Sequence, residues 1–397
     1  MNRMKLGEIL SVKHGWAFKG EYFAEDGERS ILTPGNFFEK GGFKPNNGKE
    51  RYYTGVYPKE YLCHKGDLIV AMTQQAEGLL GSTALVPEND KYLHNQRIGL
   101  ITCDEKRLNK LFAYYLFMTK SVREQLERSS SGTKVKHTSP EKIYDVEVEI
   151  PDVISQQKIA NLLWSVDEKI ANNKAINDNL EQQAQSYFQE LFVDNADPEW
   201  TTGTISDLGT VVGGSTPSKA KPEYYTESGI AWITPKDLSN NKSKFVSHGE
   251  NDITELGLRN SSASIMPEGT VLFSSRAPIG YIAIAAGEVT TNQGFKSVVP
   301  KPEIGTPFVY FFLKNTLPVI EGMASGSTFK EVSGSTMKNV PAVIPDAETL
   351  AKFSDFCAPI FAQQRILEEQ NQSLATLRDN LLPKLMSGEI DVSAVQL

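Results

Sequence analysis

Two stretches of this chain repeat their apolar positions at alternating spacings of four and three residues, without a slip. In the first, these positions are Ile159, Leu163, Val166, Ile170, Asn173, Asn177, Leu180, Ala184, Tyr187 and Leu191. In the second they are Phe353, Cys357, Ile360, Gln364, Leu367, Asn371, Leu374, Arg378, Leu381 and Leu385. Such spacing keeps one stripe on one helical face and predicts a coiled-coil seam. The two series are 194 residues apart, position for position. A helix of about 38 residues is a rod of roughly 57 Å, and its apolar stripe needs a partner. The simplest partner is the other rod. In an antiparallel pair, equivalent positions meet only at the centre, near residue 175, so Asn177 and Asn371 are expected to touch. Gln364 and Arg378 weaken the second seam, and Pro383 is expected to kink its last turn.

Ahead of each rod the pattern changes to short β-branched or aromatic runs broken by Gly, Pro and Asn. Runs at 68–72, 98–102, 271–274 and 281–285 read as strands. One helical patch is expected in each half, at 108–126 and 307–320. The fold class is therefore α+β. Two similar, mainly-β heads are separated by two long antiparallel coiled-coil helices, a pseudo-twofold internal repeat. The boundaries are head one at 1–154, rod one at 155–195, head two at 196–347 and rod two at 348–397.

The duplication is visible residue by residue. At the offset of 194, Ser131-Gly132-Thr133 matches Ser325-Gly326-Ser327, Lys136 matches Lys330, and Ser139 matches Ser333. Val146 matches Val340, and Ile150-Pro151-Asp152 matches Ile344-Pro345-Asp346, making eight identities in 22 ungapped positions. Upstream the offset wanders. Leu32-Thr33-Pro34 resembles Ile233-Thr234-Pro235, the 65–70 segment resembles 268–273, Gly81 parallels Gly280, and Asn95-Gln96 parallels Asn292-Gln293. A fixed tail behind a variable head suits heads that read different things and tails that share one task.

Charge narrows the possibilities. The net charge of −8 argues against a generally basic surface. Residues 1–154 carry 22 Lys/Arg against 21 Asp/Glu, and residues 193–347 carry 12 against 16. Any nucleic-acid affinity must come from a local stripe, with help from a partner's basic surface. Three separated cysteines, Cys63, Cys103 and Cys357, form neither a disulfide framework nor a zinc site. No apolar run reaches the ~20 residues of a membrane span. No secretion signal is expected, and the cytoplasm is the natural compartment. Phosphate-loop, dinucleotide-binding, HExxH and GxSxG motifs do not occur, the five histidines are scattered, and no acidic pair repeats beside a lysine. No catalytic, cofactor-binding or metal site is expected.

Several short segments occur twice in the same order. The openings Met4-Lys5-Leu6-Gly7-Glu8-Ile9 and Ile205-Ser206-Asp207-Leu208-Gly209 are each followed by a turn, Gly15-Trp16-Ala17-Phe18 or Gly213-Gly214-Ser215-Thr216-Pro217-Ser218. Gly66-Asp67-Leu68-Ile69 and Gly269-Thr270-Val271-Leu272 follow, then Asn95-Gln96-Arg97 and Thr291-Asn292-Gln293-Gly294. Gln156-Gln157-Lys158-Ile159-Ala160 opens rod one, and the run from Leu381 to Ile390 closes rod two. Together these resemble the specificity subunits of type I restriction–modification systems across essentially the whole chain. The resemblance implies that each head is a target-recognition domain for one half of an interrupted sequence in double-stranded DNA. It implies that the rods form an antiparallel spacer binding two methyltransferase (modification) subunits, which hold S-adenosylmethionine and methylate adenine. Separate restriction subunits add translocation and cleavage, and the chain itself supplies no catalysis. The rival reading is a two-lobed, non-catalytic scaffold binding protein or glycan, which does not account for the lysine-bearing turns shared by both halves.

Base edges are best read by Arg, Lys, Asn, Gln, Ser and Thr on loops. Candidates in head one are Lys19, Asn36, Thr73, Gln74, Gln75 and Arg97. In head two they are Ser215, Thr216, Lys219, Lys236, Ser275 and Arg276. The shared turns should carry no sequence information. Ser131, Gly132, Thr133, Lys134 and Lys136, with Ser325, Gly326, Ser327 and Lys330, are expected to hold a backbone phosphate or to serve as plain structural turns. Trp16 and Trp232 read as core, and Trp164 as packing against a neighbouring helix.

Overall fold

The computed structural model describes residues 1–46, 48–74, 78–132, 134–326 and 330–393. Two compact units divide the chain, Met1–Lys169 with Ser373–Leu397, and Ile170–Gln372. The division falls inside both long helices, Val153–Gln189 and Ala347–Met386. The second helix runs on through Pro383, and a wider turn at Glu190–Asp194 follows the first.

In the first unit, strand Asn2–Lys5 pairs antiparallel with Glu147–Ile150. A four-stranded sheet has the order Leu10–His14, Ile98–Cys103, Leu68–Ala71, Thr83–Leu85. Leu68–Ala71 is apolar at every position and wholly buried, as a strand covered on both faces must be. A second sheet orders Phe23–Ala24, Tyr52–Tyr53, Ser30–Ile31 and Tyr92–Leu93, the last pair parallel. Helix Lys110–Leu116, capped by the Asn109 side chain, lays Phe112 and Tyr115 on a core completed by Leu163 of the first long helix and Leu385 of the second. Helix Lys120–Ser129 adds Val122 and Leu126. The expected single patch is thus two helices here, broken between Leu116 and Lys120.

The second unit repeats the plan. Thr201–Thr204 pairs with Pro341–Ile344. The main sheet orders Gly209–Gly213, Lys296–Pro300, Val271–Ser275, Ile279–Ala285 and an added Phe245–Val246. The smaller sheet orders Tyr225–Thr226, Asn251–Ile253, Ile230–Ile233 and Thr290–Thr291, again with one parallel pair at the end. Helix Thr306–Gly322 packs Phe308 and Phe311 against Phe188 of the first long helix and Phe353 of the second. The turn helices before each rod also share their caps, Ser139 accepting from Lys142 N–H and Ser333 from Thr336 N–H.

The long helices run antiparallel within each unit. Arg378 meets Asp167 at 2.7 Å in the first unit, and Asn173 meets Asn371 at 2.9 Å in the second. Every seam position read from the sequence is buried or half-buried. The expected Asn177–Asn371 contact is not made. Facing residues have numbers adding to about 544, so equivalent positions face each other at 175, between seam positions. Asn177 and its copy Asn371 lie on opposite sides of it, about 6 Å apart along the axis. Asn177 instead exchanges hydrogen bonds with Gln364, whose amide donates to the Asn177 carbonyl at 3.1 Å. Trp164 packs edge-on against Tyr114. Among the described residues no helix is long and apolar enough to cross a membrane, and no cluster of metal-ligating side chains occurs.

Candidate nucleic-acid interface

Each unit has a cleft between the smaller sheet and the loop that leads into the main sheet. The first, about 410 Å³, is lined by Phe18, Phe23, Ile31, Thr33, Pro34, Gly35, Asn46, Lys49, Arg51, Asn95, Gln96 and Arg97. The second, about 470 Å³, is lined by Thr216, Lys219, Trp232, Thr234, Pro235, Lys236, Asp237, Glu250, Asn251, Arg276, Ala277, Asn292, Gln293 and Gly294. They are the same place in the repeat. Thr-Pro and Asn-Gln, which the sequence offered only as loose repeat markers, form the frame of both.

The frame is built alike. Thr33 and Thr234 each open a short helical turn through a capping box, closed by Asn36 in one unit and Asp237 in the other. Leu32 N–H donates to the Leu93 carbonyl, and Asn292 N–H to the Ile233 carbonyl, so strand pairing brings the two markers together. Gly15 and Gly214 press against the Asn-Gln turn. A Cβ on Gly15 would lie 2.1 Å from the Asn95 carbonyl, and one on Gly214 1.9 Å from that of Asn292. Only glycine permits that approach.

The walls differ. By strand register Arg51 stands where Asn251 does, and by the marker alignment Gly35 stands opposite Lys236 and Arg97 opposite Gly294. Lys49, Arg51 and Arg97 are exposed, and among the described residues none has an ion-pair partner. In the second cleft Lys236 pairs with Glu250 at 2.6 Å, and Arg276 with Glu331 at 3.3 Å. Beneath the first cleft, Trp16, Phe18 and Tyr53 pack edge to face. Trp232 is buried under the second, its indole N–H donating to the Ser215 carbonyl. Burial pushes His94, next to Asn95 in the chain, down to about 4, so its imidazole is neutral beside the Ile98 carbonyl.

The profile of the family described as Type I restriction modification DNA specificity domain matches residues 1–182 and 198–377. The chain belongs to that family. Over 194 residues this chain is 39% identical to the type I restriction enzyme MjaIX specificity subunit of Methanocaldococcus jannaschii, covering 47% of this chain and 45% of that protein. The chain thus spans under half the length of that relative. Over 406 residues it is 23% identical to the type I restriction enzyme HindI specificity subunit of Haemophilus influenzae, covering 82% of this chain and 87% of that one. The fold is similar to the crystal structure of the type-I restriction-modification system S subunit from M. genitalium, at TM-score 0.61 and 18% identity over 97% of this chain and 95% of that one.

The two clefts gather some of the sequence candidates and leave others aside. Arg97, Thr216, Lys219, Lys236 and Arg276 line them. Ser215 is half-buried next to the second, its hydroxyl accepting from Ser262 N–H. Lys19 is exposed outside the first, near Glu21. Asn36 is buried and committed to its cap and to the Lys44 carbonyl. Thr73, Gln74 and Ser275 are buried too, bonded to His137, Leu80 N–H and the Gly294 carbonyl respectively. Gln75, Thr133 and Ser327 lie outside the described residues. Lys49, Arg51, Gln96, Asn251, Glu250 and Gln293 are cleft residues that were not among the candidates. The repeated Asn-Gln pair was the available signal for two of them.

The ends of the two shared turns close in the same way. Ser131 and His137 exchange backbone hydrogen bonds at 3.0 and 2.8 Å, as do Ser325 and Glu331 at 3.1 and 2.9 Å. Gly132 and Gly326 sit at φ +98° and +121°, a conformation other residues rarely adopt. Lys134 and Lys330 are exposed, whereas Lys136 pairs with Glu127 at 3.2 Å.

Proposed function

We propose that this chain is the sequence-specific DNA-binding specificity subunit of a type I restriction–modification complex, with its two clefts reading the two halves of an asymmetric, bipartite site. The observation that carries this reading is the pair of equivalent clefts with one frame and unlike walls. A common frame suits one way of docking on a duplex, and different walls suit different bases.

The wall chemistry supplies the readers. Arg97 and Arg51 offer forked donors to guanine O6 and N7 or to phosphate, and Gln96, Gln293 and Asn251 match the donor–acceptor edge of adenine. Glu250 accepts from an exocyclic amino group such as cytosine N4. The turns at Gly132 and Gly326, present in both halves, hold backbone phosphate through Lys134 and Lys330 and carry no sequence information. The paired helices set the two readers apart and dock two methyltransferase subunits, which bring S-adenosylmethionine and the chemistry; restriction subunits join that assembly in the cytoplasm. The chain's own part is to bind and position, and its net charge of −8 confines DNA attraction to these local sites.

The experiment is a methylome of cells with and without this gene. The reading predicts that one interrupted motif loses adenine methylation when the gene is removed. An unchanged methylome, with the methyltransferase subunits expressed, overturns it.

A further inference from the structure

The clefts occupy the same place in the repeat, yet their charges do not match. The first is lined by Lys49, Arg51 and Arg97 and, among the described residues, by no carboxylate. Glu50, between two of those cations, turns its carboxylate back to Gly48 N–H at 2.7 Å. The second is lined by Lys219, Lys236 and Arg276 together with Asp237 and Glu250. Even the cap follows suit, Asn36 being neutral where Asp237 is anionic. Glu250 holds Lys236, and Glu331 holds both Arg276 and, at 3.8 Å, Lys296. Lys219 is the one cation lining the second cleft for which no ion pair is found among the described residues.

A cation already beside a carboxylate releases little counterion when it meets a phosphate, and the carboxylate repels that phosphate. An unpaired cation gives the full effect, a slope change of about 0.9 in log affinity against log salt for each phosphate contact.

We infer that the heads divide the labour on DNA: the first cleft is the ionic anchor that sets affinity and its salt dependence, and the second, neutralised within itself, discriminates bases while contributing little ionic attraction. This rests on the reading of both clefts as DNA sites. The first head holds any duplex more firmly, and the second decides whether the complex stays. Glu250 acts as a brake on ionic binding, so its removal strengthens attachment to DNA.

The test uses the chain assembled with its methyltransferase subunits and a fluorescent duplex carrying the methylated motif, titrated between 50 and 200 mM salt. Lys49→Ala with Arg51→Ala is expected to flatten the slope by about 1.8, and Lys219→Ala with Lys236→Ala by less than about 1. Glu250→Gln, which keeps size and hydrogen bonding, is expected to raise affinity several-fold at the lower salt and to steepen the slope. Equal flattening by the two double variants, or no response to Glu250→Gln, overturns the division of labour. A duplex scrambled in either half that binds as well as the intact motif overturns the underlying reading instead. Melting temperatures of the assemblies show that these exposed substitutions leave the fold intact.

Discussion

Asn173 donates its side-chain amide to Asn371 at 2.9 Å, although neither is the repeat counterpart of the other. The counterpart of Asn173 is Leu367, and that of Asn371 is Asn177. The polar contact therefore has no copy in the repeat, whose equivalent positions are Asn177 and Leu367. Asn173 is fully buried. Asn371→Ala leaves its amide only the longer contact to Gln370 at 3.4 Å, and is expected to cost about 1–3 kcal/mol. Replacing both asparagines with leucine is expected to be near neutral or stabilising, at the expense of register. Thermal unfolding of the three proteins checks the order.

The first unit holds its helices by charge. Arg378 pairs with Asp167 at 2.7 Å, and the Tyr115 hydroxyl donates to the same carboxylate at 2.6 Å. Both charged side chains keep about a fifth of their surface in solvent, 23% and 20%. Arg378→Ala is expected to destabilise by about 2–3 kcal/mol, below the ~3–5 of a fully buried pair. Arg378→Leu with Asp167→Leu is expected to recover only part of that, because no buried charge is left alone but the buried Tyr115 hydroxyl loses its acceptor. Urea titration of single and double variants provides the comparison.

His94 makes stability depend on pH. Burial holds its pKa at about 4, against 6.5 for the free side chain. Between those values the unfolded chain binds a proton that the folded chain does not. Its contribution is therefore intact above about pH 6.5 and falls by about 3 kcal/mol as pH drops to 4. His94→Gln retains a donor for the Ile98 carbonyl and is expected to flatten the loss in that window. Equal pH profiles for wild type and variant contradict the assignment.

Gly214 tests the cleft frame. Gly214→Ala forces the Asn292-Gln293 turn away, since no rotamer relieves a Cβ 1.9 Å from a backbone oxygen. A stability loss of about 1–3 kcal/mol is expected, the usual penalty of overpacking. Loss of methylation at the motif should accompany it, whereas alanine at half-buried Gly287, where an added Cβ meets no atom within 4 Å, should do neither. Calorimetry and a methylation assay on the assembled complex read both effects.

Much of this architecture is legible in the sequence. The alternation of four and three fixes which residues of both rods face inward, because burial on a helix depends only on spacing. Strands such as Leu68–Ala71 are visible for a similar reason: a short apolar run next to turn residues suits a strand covered on both faces. The Asn177–Asn371 contact fails although the centre falls at 175 as the spacing implies: Asn177 lies two residues beyond that point, so it and its copy stand four residues, about 6 Å, apart along the axis. The clefts are hardest to see. Arg51 and Arg97 lie 46 positions apart and meet only through pairing in the smaller sheet, and the wandering offset hides that Arg51 matches Asn251. Asn36 and Ser275 have the polarity of readers, but the sequence does not show that caps and backbone carbonyls already claim them.

The most direct test is to map methylated adenines in DNA treated with the assembled complex carrying Asn251→Ala and Gln293→Ala. Reading by two separate clefts predicts that one half of the motif becomes degenerate, while the other half and the spacing between them stay as in wild type. Both halves changing together, or neither changing in a complex that still methylates, contradicts it.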